Sequence, residues 1–74
     1  MSKQSTPTNT SNQHYDLVSV LYHALEGAQT YATYVEDAGR EGDQELAQFF
    51  LQLQQQEITR ADQAKKLLAQ RLNQ

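Results

Sequence analysis

The sequence predicts an all-α fold, an antiparallel two-helix hairpin that pairs with a second copy into a four-helix bundle. Three observations carry this. From about residue 14 onward apolar residues recur in steps of three and four, the period of a helix packed on one side. No proline follows Pro7, so nothing downstream forbids a long helix. The stretch GREG, residues 39–42, is a short glycine-flanked break between two such periodic segments.

Residues 1–12, MSKQSTPTNTSN, carry no large apolar side chain after Met1 and are rich in Ser, Thr, Asn and Gln. Nothing there offsets the entropy of ordering a chain, so this segment reads as a disordered polar tail. Residues 13–74 make up the hairpin.

The first helix is expected over 14–38. Val18, Leu21, Leu25, Ala28, Ala32 and Val35 form its stripe, and Ser11 or Asn12 can cap its start. Gly39 suits the left-handed conformation that commonly ends a helix. Glu36 and Asp37 oppose the helix dipole in the last turn, which Arg40, four residues after Glu36, partly offsets.

The turn at 39–42 is short enough to send the next helix back antiparallel. Asp43 then caps a second helix over 43–72, with Glu45 in its first turn and Lys65, Lys66 and Arg71 toward its C-terminus, as the dipole favours. At ~1.5 Å rise per residue each helix is roughly 40 Å long. A lone hairpin of that length leaves a broad apolar face bare, and two-fold pairing covers it. Leu21, Leu25, Phe50, Leu53 and Leu67 are the expected dimer core.

Composition narrows the function classes. A 74-residue chain with no Cys has neither disulfides nor thiolate sites to support so small a core, leaving a carboxylate or histidine metal site, or oligomerisation. A net charge of −3 and a pI near 5.1 offer no basic footprint for nucleic acid or anionic lipid. There is no apolar run of membrane-spanning length and no signal-peptide centre, so the expected setting is cytoplasmic, without a membrane partner.

One stretch breaks the pattern. In QQQEITRADQ, residues 54–63, Glu57 and Arg60 stand where the stripe calls for hydrophobes. Turning ~100° per residue from Leu53, the residues Leu46, Glu57, Arg60, Ala64 and Leu67 all fall within about 40° of it. On the first helix Glu26 lies at the edge of the apolar face, beside Tyr22, Gln29 and Thr33. A surface i, i+3 ion pair is the plain account of Glu57 and Arg60. Their place in the stripe favours instead an interface ion-pair network of Glu26, Glu57 and Arg60 across the dimer, acting on register and partner choice.

The segments LYHALEGAQTYATYVEDA and DQELAQFFLQLQQQEITRADQAKKLL resemble the half-bundle of ferritin-like carboxylate proteins, including the rubrerythrins and the short encapsulated ferritins. That unit has a helix with an inward Glu, a short turn, and a helix with Glu-x-x-His. The resemblance implies Glu26 and Glu57 as metal ligands and places Arg60 where the family has His. Guanidinium is always protonated and has no lone pair to donate, so the implied di-metal site is degenerate.

Other features have plainer readings. His14 and His23 are expected as exposed polar residues. Tyr15, Tyr22, Tyr31 and Tyr34 would cover bundle edges, with only Tyr22 on the side of Glu26. Ala24, Gly27, Ala28 and Ala32 permit close helix approach, with Phe49 and Phe50 as complementary bulk. The Gln run, Gln52 and Gln54 to Gln56, reads as a solvated helix face.

The expected function is a structural or interaction role for a small ferritin-like protein that self-associates as a homodimer or a higher oligomer, without catalysis and with no cofactor. An enzyme is the rival: a carboxylate-bridged di-iron oxidase or iron-binding protein using Glu26 and Glu57 of both chains, with iron or another divalent metal. A third reading is a helical adaptor whose seam binds a different, unknown helical protein.

Overall fold

The computed structural model describes residues 10–73, and these form two antiparallel α-helices, α1 (Asn12–Arg40) and α2 (Gln44–Leu72), with no strand among them. The expected tail, residues 1–12, lies outside the described residues except at its end, where Thr10 and Ser11 lead into the helix and Asn12 is already its first residue. The hairpin measures 50 × 22 × 18 Å. No helix among the described residues is long and apolar enough to cross a membrane.

Local chemistry sets the ends. Ser11 is extended, with φ −62° and ψ 152°, and its hydroxyl accepts from the His14 backbone N–H at 3.3 Å, so α1 begins ahead of His14. At the other end α1 runs past Ala38 and Gly39 to Arg40. Gly39 stays helical, and the left-handed residue is Gly42, with φ 76°. The Asp43 N–H donates to the Ala38 carbonyl and the Gly42 N–H to that of Gly39, both at 3.0 Å. These two bonds are the Schellman closure, which satisfies two of the carbonyls a helix end would otherwise leave bare. Asp43 then serves α2 as well: its carboxylate accepts from the Leu46 N–H at 3.1 Å. Closing at Gly42 thus lets one residue finish α1 and start α2. Arg40 pairs with Asp37 rather than with Glu36.

The two helices meet along a heptad seam. On α1 the buried and half-buried positions include Leu17, Leu21, Ala24, Ala28, Tyr31, Val35 and Ala38, alternating steps of four and three. On α2 they include Ala47, Phe50, Gln54, Glu57, Ala61, Ala64, Leu68 and Arg71. Among the described residues the buried ones are Ala24, Ala38, Ala61 and Ala64. The α1 stripe read from sequence shares Leu21, Ala28 and Val35 with this seam. Of its other members Ala32 stays half-buried, while Val18 and Leu25 are displaced, at 50% and 47% exposure, and Ala24, one residue before Leu25, faces α2 in its place. The reason is size. Small side chains at the crossing let two backbones approach closely, and the larger ones are pushed to the flanks.

Candidate functional site

Glu57 occupies a seam position on α2 and faces Gly27 of α1. A β-carbon on Gly27 would meet the Glu57 Cγ and Cδ at 3.4 Å, so the missing side chain makes room for the carboxylate stem. The Glu57 side chain is 20% exposed, and its Oε1 lies 2.7 Å from Nη1 of Arg60, an i, i+3 pair on the same helix. Arg60 itself is 52% exposed and leans out of the seam over a polar surface of Gln52, Gln56, Thr59 and Gln63. The guanidinium therefore has solvent on one side and Glu57 on the other.

Glu26 lies elsewhere. It is two residues after buried Ala24, about 200° around the helix, and it is exposed. Its Oε2 accepts from the Tyr22 hydroxyl at 3.4 Å, and its backbone carbonyl accepts from Thr30 Oγ1 at 3.1 Å. Within one chain the fold brings Glu57 to Arg60 and Glu26 to Tyr22, and leaves these two pairs apart. No three His, Asp or Glu side chains converge among the described residues as a metal ion would require. His23 is exposed, its Nδ1 donating to the Ser19 carbonyl at 2.9 Å, with the ring edge-on to Tyr22. His14 is half-buried at the first turn of α1.

The larger apolar residues lie on two opposite flanks. Residues just before the seam positions share one side: Val20 and Tyr34 on α1 with Leu46, Leu53, Arg60 and Leu67 on α2, and Phe49 at its rim. The Tyr34 ring touches Phe50 edge-on at 5.4 Å, and Phe49 lies 5.8 Å from Phe50, which fixes this side at the turn end. We call it the Phe49 face. Residues just after the seam positions share the other side: Val18 and Leu25 on α1 with Leu51, Ile58 and Leu72 on α2, and Tyr22 at its rim. This is the Leu25 face. Val20, Tyr34, Leu46, Phe49 and Leu67 are exposed on the first, and Val18, Tyr22, Leu25, Ile58 and Leu72 on the second.

The five residues expected as the dimer core are divided by this arrangement. Leu21 and Phe50 belong to the seam within the chain, Leu25 to one face, and Leu53 and Leu67 to the opposite one. Sequence reasoning did not single out Ala38, Ala61, Val20 or Ile58. Ala61 and Ala64 carry a readable signal, a seven-residue alternation with Ala47, Gln54 and Leu68, but it runs beside the more hydrophobic stripe that masks it.

Compared with known protein families, characterised proteins and solved structures, the chain gives no match.

Proposed function

We propose that this chain is a self-associating helical hairpin with a structural or interaction role, two copies packing into a four-helix bundle. One observation carries the reading: among the described residues nothing larger than alanine is buried, while Tyr22, Leu25, Phe49, Leu72 and other large apolar side chains stand about half exposed or more. Contiguous apolar surface on so small a chain marks an association site, and a core this thin needs a partner to stabilise it. On this reading the second copy docks on the Phe49 face, with Glu57 and Arg60 near the middle of the contact. A half-exposed ion pair adds little to stability. A copy docked out of register would strip water from the exposed side of Arg60, leaving the guanidinium N–H groups that Glu57 does not engage without acceptors, so the pair bears on register. If the sequence resemblance to a ferritin-like half-bundle holds, Arg60 closes the position a metal-binding His would take.

Mass in solution, measured by sedimentation with thermal melting across a hundredfold range of protein concentration, tests this. An assembly of two or more chains whose melting temperature rises with concentration is expected. A folded monomer with a concentration-independent melt would overturn the proposal.

A further inference from the structure

Two-fold pairing uses the same patch on both copies, so a single such contact covers only one side of this hairpin. The Phe49 face and the Leu25 face lie on opposite sides of the seam. Covering the first leaves Leu25, Val18, Ile58 and Leu72 in water, at 47%, 50%, 44% and 61% exposure.

We infer that the Leu25 face is a second self-association surface, occupied by a further copy of this chain, so that assembly continues beyond the dimer. The inference rests on the self-association proposed above and adds to it the second face. Size is the first argument. With dimensions of 50 × 22 Å across the hairpin, each face projects on the order of 1,100 Å², more than the ~800 Å² per partner of a standard interface. Charge is the second. The one charged residue in the Leu25 face's central lane, Lys65, has its Nζ 3.8 Å from Oδ1 of Asp62 on the same helix. On the opposite face Arg60 is likewise matched by Glu57. Each central lane is therefore close to neutral. Such a lane meets its own copy without repulsion and gives a strongly charged partner nothing to select. Chemistry is the third, because leucine, valine and isoleucine at the flank of a heptad seam are what a helix with two neighbours needs, one on each side of its own partner.

Sedimentation of the full chain and two variants tests this. The unaltered protein is expected at four or more chains. Leu25→Glu combined with Ile58→Glu should halve the mass of a four-chain assembly, leaving dimers joined through the Phe49 face. Phe49→Glu combined with Leu67→Glu should leave dimers joined through the Leu25 face. Circular dichroism checks that helix content is retained, and Leu25→Gln with Ile58→Gln replaces the first variant if it is not. An unaltered protein that stops at two chains at every concentration would overturn this inference and leave the proposed function standing. A monomer would overturn both. An assembly of unchanged mass after the helix-retaining Leu25 and Ile58 substitutions would also overturn the inference.

Discussion

Gly27 and Glu57 face each other across the seam: a β-carbon added to Gly27 would meet the Glu57 Cγ and Cδ at 3.4 Å. An ionisable residue sits at a heptad core position opposite a neighbour too small to crowd it. The carboxylate end then reaches sideways to Arg60 at 2.7 Å instead of pointing into apolar surroundings. Charge in the hydrophobic stripe is accommodated by a local absence of volume.

That contact makes a graded prediction. Alanine at position 27 would stand in ordinary van der Waals contact, and it removes the conformational freedom of a mid-helix glycine, so Gly27→Ala should stabilise by about 0.5–1 kcal/mol. Gly27→Leu should instead displace Glu57 and cost about 1–3 kcal/mol through overpacking. Urea unfolding at one fixed protein concentration reads both. Equal stability for the alanine and leucine variants would mean the approach is looser than described.

Arg60 is half exposed, so Arg60→Leu should change hairpin stability by no more than about 1 kcal/mol and tighten self-association by enlarging the Phe49 face. Thermal melts and sedimentation at matched concentrations measure the two effects. A loss of more than ~3 kcal/mol would show that Glu57 is left charged and sealed from water without its partner.

The turn offers a paired test of backbone conformation. Gly42 has φ 76° and closes α1, so Gly42→Ala should cost about 1–2 kcal/mol. Gly39 is helical, and a β-carbon there would meet nothing within 4 Å. Gly39→Ala should therefore stabilise by about 0.5–1 kcal/mol. Opposite signs at two glycines in one short segment are the expected result, and chemical denaturation of the two variants reads it. Two destabilised variants would contradict the helical assignment at Gly39.

Metal chemistry gives the fourth prediction. With Glu26 bonded to Tyr22 and Glu57 to Arg60, added ferrous iron or zinc is expected to leave the melting temperature within a degree or so, since a ligand that binds only the folded state raises it. Calorimetric titration supplies the stoichiometry. Saturable binding that disappears in both Glu26→Ala and Glu57→Ala would instead support the carboxylate-bridged reading, with ligands drawn from different copies.

Much of the hairpin was legible from local chemistry. The helical period, the lack of proline after Pro7, Ser11 as a cap and Asp43 as the start of the return helix depend on neighbours within a few residues. The helix end was less so, because Gly39 and Gly42 are equally able to turn left-handed in isolation. The choice fell to Gly42, where the Ala38 and Gly39 carbonyls are satisfied and Asp43 remains free to cap α2.

The sequence by itself determined two long helices and a tight turn, since period and capping are properties of each segment alone. Which stripe becomes the seam was decided only by the tertiary structure. On α1 the sets containing Val18 and Leu25, or Leu17 and Ala24, share Leu21, Ala28 and Val35 and satisfy the helical period equally well. Ala61 and Ala64 of α2 favour the set with Ala24, because close approach requires small residues on both sides of the crossing. That one-residue rotation turned Glu26 outward, set Glu57 against Gly27, and put Leu25 and Phe49 on opposite faces, an outcome that one helix's pattern could not specify without the surface of the other.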